Sequence, residues 1–246
     1  MVSGRAGSLI SQSFGRRLGV SSGYGLDSIF SLNHLPKSTI RRVLVLGRQG
    51  SGKGVQGTAL SQRLKVPHIS AGESLRHAVR EKSSLGTLVK DAMQSCDLVA
   101  DELVMAAIGE ELDRSSHHGF ILDGFPRTDS QARLLFEKLG SQGLDIAVKI
   151  EVPENVVVER LARRQVCTGC GRDFGDAWPI ESCDRCGNTV GARSDDTLEV
   201  IHHRLLLSDR NEPELLRFLA SRSRLCHIDG VGAPEVVAER IWKVIN

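Results

Sequence analysis

Residues 47–53, with the sequence GRQGSGK, fit the pattern G-x-x-x-x-G-K. Glycines in such a segment let successive backbone N–H groups point at phosphate oxygens without obstruction by side chains. Lys53 adds a mobile positive charge for the outer phosphates of a nucleotide. An apolar run precedes the segment and a helical pattern follows it. In this context the pattern predicts a phosphate-binding loop rather than a structural turn.

A second group of polar residues lies at 123–131, where the sequence is DGFPRTDSQ. Asp123 ends an apolar run, and α/β sheets bind ligands at the carboxyl ends of their strands, so this carboxylate can organise the waters of a Mg²⁺ ion. Arg127 offers a forked set of donors for the phosphate of an acceptor nucleotide. Gln131 can hydrogen-bond both the donor and the acceptor positions of adenine. These residues predict a second nucleotide site; the alternative is an exposed turn with a surface Gln.

Four of the six cysteines form two C-x-x-C pairs separated by twelve residues, namely Cys167, Cys170, Cys183 and Cys186. A glycine follows each pair and permits the tight turn that aims both sulfurs at one ion. Four thiolates predict a closed tetrahedral structural site for Zn²⁺, with no open position for catalysis. Two disulfides are the alternative, and a reducing compartment disfavours them.

Arginines and acidic residues flank the cysteines on both sides. They are Arg160 and Arg164 before the first pair and Arg193, Asp195, Asp196 and Arg204 after the second. Forked guanidinium donors suit a phosphoryl-transfer transition state, because its negative charge is spread over several oxygens. The two aspartates can orient these arginines or metal-bound waters. Taken without the neighbouring motifs, the same cluster would indicate a solvated, salt-bridged surface.

Short apolar runs alternate with amphipathic helical patterns along the body of the chain. The strand-like runs are 41–47, 66–69, 119–123, 146–152 and 225–229. The helical patterns are 53–64, 101–113, 128–139, 154–164, 197–221 and 234–244. This alternation predicts an α/β fold with a five-stranded parallel sheet covered on both faces. Residues 167–193 break the rhythm and indicate an insertion that is not stabilised by a hydrophobic core.

Several of these segments together resemble the adenylate kinase family. The segment GSGKG at 50–54, the segment HISAGESLR at 68–76, the segment CDLV at 96–99 and DGFPRT carry the resemblance, as do the arginines around the cysteines. It covers about residues 41–245. It implies a P-loop NTPase fold, with an adenylate kinase domain at 40–246. Within that domain it implies an NMP-binding flap at 70–99 and a lid at 166–203, stapled by a zinc site of four cysteines.

The resemblance also implies an activity, namely the reversible, Mg²⁺-dependent transfer of the terminal phosphoryl group of ATP to AMP. The implied ATP-binding residues are Gly50, Ser51, Gly52, Lys53, Gly54, Val55, Arg164, Phe174 and Gly232. The implied AMP-binding residues are Ala71, Arg76, Leu98, Val99, Gly124, Arg127, Gln131, Arg193 and Arg204. The implied catalytic residues are Lys53, Asp123, Arg127, Arg160, Arg164, Arg193, Asp195, Asp196 and Arg204.

The chain departs from the family pattern at several positions. Gln49 replaces Pro, Val55 and Ala71 each replace Thr, and Glu73 replaces Asp. Lost hydroxyls and a longer acid beside the nucleotides leave open a nucleotide-binding scaffold of the same fold with low turnover. A GTP:AMP phosphotransferase is a further alternative, because the implied contacts with the donor base are mostly made by backbone.

Residues 1–39 differ from the body in composition, with nine Ser, four basic residues and a single acid, Asp27. A Ser-rich, Arg-bearing and acid-poor segment predicts an organellar transit peptide. A disordered tail is the alternative. We expect a mitochondrial location, with plastid or cytoplasm as the alternatives.

The remaining composition restricts the partners. The net charge is only +2, and the chain has two Trp and one Tyr, which argues against a nucleic-acid-binding surface. No apolar run approaches the ~18 residues of a membrane-spanning helix. We expect a monomer that binds ATP and AMP and neither nucleic acid nor membrane.

Overall fold

The computed structural model describes residues 40–95, 99–175, 180–193 and 197–246. The predicted N-terminal segment, 1–39, lies outside the described residues, and so do Leu98, Asp195 and Asp196.

Five parallel strands form the central sheet, in the order β2-β3-β1-β4-β8. Strand β1 (Arg42–Leu46) pairs with β3 (Phe120–Asp123) on one side and with β4 (Ile146–Glu151) on the other. Strands β2 (His68–Ser70) and β8 (Arg224–Asp229) form the edges. The prediction of a five-stranded parallel sheet is therefore confirmed.

Alternate side chains of β1 enter different hydrophobic clusters. Leu44 and Leu46 pack on one face of the sheet, and Val43 and Val45 pack on the other. Because successive side chains of a strand point to opposite faces, an uninterrupted apolar strand requires helices on both sides. The helices are α1 (Lys53–Leu64), α2 (Ala71–Arg80), α3 (Ser84–Ser95), α4 (Asp101–Ser115), α5 (Asp129–Leu139), α6 (Glu154–Ala162), α7 (Leu198–Ala220) and α8 (Pro234–Ile245). No helix in the described part of the chain is long and apolar enough to cross a membrane.

Helices α2 and α3 occupy most of the segment that the sequence assigns to a flap. They lie so close together that a Cβ on Gly86 would collide with the carbonyl oxygen of Ala78. A glycine at this position therefore permits the tight packing of the two helices. The helical structure of the flap was not specified by the sequence pattern.

A small antiparallel sheet forms the insertion between α6 and α7. Its strand order is β6-β5-β7, with β5 at Gln165–Cys167, β6 at Asp173–Gly175 and β7 at Val190–Ala192. Among the described residues of this insertion, the fully buried side chains with hydrophobic character are Cys167 and Cys183. Within its described residues, the insertion therefore has no buried aliphatic side chain.

The position of β1 between two hydrophobic clusters predicts how a core substitution changes the free energy of unfolding. Leu44 is completely buried in β1, so Leu44→Ala should lower the free energy of unfolding by about 2–5 kcal/mol, measured by urea denaturation. Leu88→Ala is the matched control: this α3 side chain is 65% exposed and should change stability by less than about 0.5 kcal/mol. Equal effects of the two substitutions would contradict the assignment of β1 to the centre of the core.

Candidate active site

The phosphate-binding loop joins the carboxyl end of β1 to the start of α1. Gly50 and Gly52 both have positive φ angles, +82° and +93°. A Cβ on Gly50 would lie 3.0 Å from the carbonyl oxygen of Val157. Positive φ and this close approach both require glycine at position 50. The glycine therefore allows the backbone conformation of the loop. Gly54 and Val55 follow in the first turn of α1.

Ser51 and Lys53 are the functional side chains of the loop. The Ser51 hydroxyl is buried and has no hydrogen-bond partner within the described protein. The Lys53 ammonium donates to the carbonyl oxygen of Arg48 over 2.9 Å. Burial lowers the pKa of Lys53 to about 8; the charges of Arg127 and Arg164 act in the same direction, and that of Asp123 opposes them. A bound polyphosphate would relieve this cost of holding a cation in the loop.

Asp123 lies at the end of β3, beside the loop, and is 6% exposed. It accepts hydrogen bonds from His68 Nε2 over 2.5 Å and from the Ser70 hydroxyl over 3.3 Å. Burial acts to raise the pKa of Asp123, but the His68 hydrogen bond and charge, the Lys53 charge and the Ser70 hydrogen bond together hold it below its usual value. Asp123 is therefore an anion at neutral pH.

His68 is a site residue that sequence reasoning missed as a functional group. The signal was its place on β2, which pairs with β3 so that Ser70 lies opposite Asp123. A Cβ on Gly57 of α1 would collide with the His68 ring. Helix α1 therefore needs glycine at this position to leave room for the His68–Asp123 pair.

Four of the predicted arginines belong to one cluster of charges, in which Arg127 and Arg164 act on Lys53, and Arg193 and Arg204 act on Arg127. Arg204 and Arg193 lower the pKa of Arg127 by their charge, after the larger effect of desolvation, and Asp123 partly offsets them. Arg164, which also acts on Lys53, lies 3.7 Å from Asp173 of β6. The structure thus brings these cations together from four places: the turn between α6 and β5, the end of β7, the segment before α5, and α7.

Arg160 of α6 contacts the loop after β8. Its guanidinium donates to the carbonyl oxygen of Gly230 over 3.3 Å, in the loop after β8 that also contains Gly232. Phe174 of β6 has the guanidinium of Arg172 over its ring at 5.1 Å. The predicted contacts of Phe174 and Gly232 with a donor base stay predictions.

Helix α7 contacts the phosphate loop through two side chains. Arg48 forms a bidentate pair with Asp209, with distances of 2.8 and 2.7 Å. Gln49 accepts a hydrogen bond from Arg204 over 3.3 Å. Sequence reasoning noted Gln49 as a departure from the family and did not find the Arg48–Asp209 pair, since its members are 161 residues apart. Two successive loop residues are therefore fixed to the helix that follows the insertion.

The predicted acceptor residues lie on the other side of Asp123. The Arg127 Nε–H donates to the carbonyl oxygen of Gly124 over 2.9 Å, and Ala71 is buried beside Gly124. Gln131 is 2% exposed and hydrogen-bonds on both sides of its amide. Val99 is buried in a hydrophobic cluster. These placements are compatible with a pocket for a nucleotide base.

Glu73 engages two arginines of α2. Its carboxylate accepts from Arg76 over 3.2 Å and from Arg80 over 2.7 Å. Both pairs are partly exposed to solvent, so each contributes little to stability. Arg76, a predicted phosphate ligand, is consequently ion-paired with the residue that departs from the family pattern.

The four cysteine sulfurs lie within 4.8 Å of one another. Two of the separations are 3.4 Å (Cys167–Cys186) and 3.7 Å (Cys170–Cys183), too long for a disulfide of about 2.05 Å. Zn–S bonds of about 2.3 Å in a tetrahedron put the sulfurs about 3.8 Å apart. The arrangement therefore fits a tetrahedral zinc ion.

Donors surround the sulfurs as well. The backbone N–H of Cys170 donates to Cys167 over 3.4 Å, and the Asn188 amide donates to Cys186 over 3.4 Å. Hydrogen bonds from Asn188 lower the pKa of the Cys186 thiol, whereas burial and the neighbouring sulfurs raise the pKa of the Cys170 thiol. Such donors favour the thiolate form that a metal ligand needs.

The fold and the arrangement of cations around a phosphate loop define a P-loop nucleoside monophosphate kinase. The model of the adenylate kinase family matches residues 45–223. An adenylate kinase from Clostridium novyi is 37% identical over 81% of this chain and 96% of its own. One from Carboxydothermus hydrogenoformans is 36% identical over 83% and 99%. The chain belongs to the adenylate kinase family.

The comparisons correct one prediction. The curated relatives are bacterial adenylate kinases, from Clostridium and Carboxydothermus. The predicted mitochondrial location is therefore wrong. Composition misled the prediction because a Ser-rich, acid-poor segment is not specific to organellar import.

The low pKa of Lys53 predicts that ATP binding is linked to protonation. Phosphate oxygens next to the ammonium raise its pKa, so ATP binding at about pH 8.5 should take up protons, and ATP affinity should fall as the pH rises above about 8. Titration calorimetry in two buffers of different ionisation enthalpy measures this uptake. Lys53→Arg keeps the charge at all these pH values and should abolish the uptake. Identical heats for the unmodified protein in both buffers would contradict the prediction.

Proposed function

We propose that this chain catalyses the reversible transfer of the terminal phosphoryl group of ATP to AMP, which gives two ADP. The observation that carries the proposal is a cluster of Lys53 and four arginines near Asp123. It lies at the carboxyl end of the sheet, where the phosphate loop follows β1. We assign this activity to residues 40–246, with the flap at 70–99 and the lid at 166–203.

The loop would hold the donor. Backbone N–H groups around Gly50 and Gly52 and the start of α1 favour an anion, and the unpartnered Ser51 hydroxyl can contact it. Asp123 fits a magnesium site, because its carboxylate is anionic and Mg²⁺ prefers carboxylate and water oxygens. When bound, Mg²⁺ neutralises charge on the phosphates. Asp123 would hold it through waters, since protein donors already occupy part of its lone pairs.

The arginines would stabilise the transferring group. Arg127 and Arg76 would bind the acceptor phosphate, and Arg164, Arg193 and Arg204, from the two ends of the insertion and from α7, would contact the transferring group. Guanidinium groups held in place before reaction can neutralise the charge of the transition state with little reorganisation. Positioning and exclusion of water then replace a general base, as is general for phosphoryl transfer.

One observation supports the second candidate function, a scaffold with low turnover. Glu73 occupies Arg76, and this pair would have to open before Arg76 could bind an acceptor phosphate. Donor identity also stays open, so GTP is a test substrate beside ATP. We also propose a monomer that acts on free nucleotides, without nucleic acid or membrane, in keeping with a net charge of only +2 and few aromatic residues.

Replacing a positively charged side chain of the site should lower the kinase activity. Arg127→Ala and Lys53→Ala should each lower kcat/KM for ATP and AMP roughly 10²- to 10³-fold in a coupled assay. Arg114→Ala is the matched control, because this guanidinium is 72% exposed on α4. Near-unchanged turnover of either site variant would refute the assignment of these residues. Failure of the unmodified protein to bind two adenosines bridged by five phosphates would refute the two-nucleotide site.

We also propose that Zn²⁺ occupies the cysteine cluster and stabilises the lid. A strong chelator under reducing conditions should release one zinc per chain and lower the Tm. Cys170→Ser should reproduce the loss of metal, whereas Cys226→Ser, on β8 outside the cluster, should not. Purified protein without stoichiometric zinc, measured by atomic absorption, would exclude the proposal.

A further inference from the structure

The side-chain amide of Gln131 is held between two groups that each form hydrogen bonds in one direction only. Its Oε1 accepts from the backbone N–H of Arg127 over 2.7 Å, and its Nε2 donates to Asp101 Oδ1 over 2.8 Å. A backbone N–H can only donate, and an ionised carboxylate can only accept. The amide therefore has one allowed orientation, fixed by the chemistry of its neighbours.

Rotation of the amide by 180° would be unfavourable. It would bring Oε1 against the Asp101 carboxylate and Nε2 against the Arg127 N–H, with both hydrogen bonds lost. Gln131 is 2% exposed, so water cannot readily replace them. Leaving buried polar groups unpaired costs more than an exposed hydrogen bond contributes. The orientation is consequently rigid.

The position of Asp101 allows it to fix the orientation of the Gln131 amide. It is the first residue of α4, and its second oxygen, Oδ2, accepts from the Ser130 hydroxyl over 2.9 Å. Ser130 and Gln131 both lie in the first turn of α5. The Asp101 carboxylate thus joins the starts of two helices, with one oxygen for each partner.

A fixed amide presents its remaining N–H and its remaining lone pair in one spatial order. Adenine offers an amino donor at position 6 and an acceptor at N1, whereas hypoxanthine and guanine offer an acceptor at position 6 and a donor at N1. An amide that pairs with one of these edges would have to rotate to pair with the other. A rotating amide would accept both.

We propose that Asp101 is a positioning residue that determines the acceptor base: by fixing the Gln131 amide, it selects AMP over 6-oxopurine nucleotides. The proposal deepens the ATP:AMP activity proposed above and depends on it. Arg127 supplies both the N–H that holds the amide and the guanidinium proposed to bind the acceptor phosphate, so base and phosphate recognition meet at one residue.

The test compares AMP with IMP as acceptors at saturating ATP. Asp101→Ala should reduce the ratio of kcat/KM for AMP to that for IMP roughly tenfold, mainly through KM for AMP, while KM for ATP stays unchanged. Asp101→Asn retains an acceptor oxygen for Gln131 and should restore most of the preference. Glu102→Ala is the matched control, because it removes the neighbouring, exposed acid from the same turn of α4.

An unchanged ratio in Asp101→Ala would overturn the proposal, and so would an equal loss of activity toward AMP and IMP, which indicates a purely structural role. If Asp101→Ala does not fold, Asp101→Ser provides the same comparison, since its hydroxyl is too short to reach the amide. Failure of the proposed function is distinguishable: the unmodified protein would then not phosphorylate AMP at all.

Discussion

The concentration of positive charge at the carboxyl end of the sheet is the constraint on which the rest of the structure depends. Lys53 and several arginines lie close enough to depress one another's proton affinity, and burial adds to the effect. Asp123, ionised with the help of His68, offsets only part of this charge. Such a site is electrostatically unfavourable when empty and favourable around polyphosphate, which is the requirement for binding two nucleotides face to face.

Helix α7 connects the parts that must act together. It begins within the last residues of the proposed lid, carries Arg204 and holds the phosphate loop through the Arg48–Asp209 and Gln49–Arg204 contacts. A Pro in the family pattern stiffens the loop by its ring, whereas here two side chains tie the loop to a helix. The departure at Gln49 is therefore matched by a tertiary contact, and the loop keeps a defined position.

Polar groups fix the geometry of the lid and of the acceptor site, but the interactions differ. In the described part of the insertion between α6 and α7 no aliphatic side chain is buried, and the four sulfurs, in a geometry that fits one metal ion, can take the place of a core. On the acceptor side, order comes from hydrogen bonds with a defined direction, from the Arg127 backbone through Gln131 to Asp101. In both places polar chemistry fixes geometry where packing cannot.

Sequence by itself determined the parallel sheet, the phosphate loop and the spacing of the cysteines, because these depend on local pattern and on fixed intervals along the chain. Thr128 and Thr197, read as the first residues of helices, are in fact their N-caps. Only the tertiary structure decided which side chains meet: His68 with Asp123, Arg48 with Asp209, and Asp101 with Gln131. These partners are 55, 161 and 30 residues apart, and no periodicity specifies contacts at such separations. The packing of strands and helices brings them together.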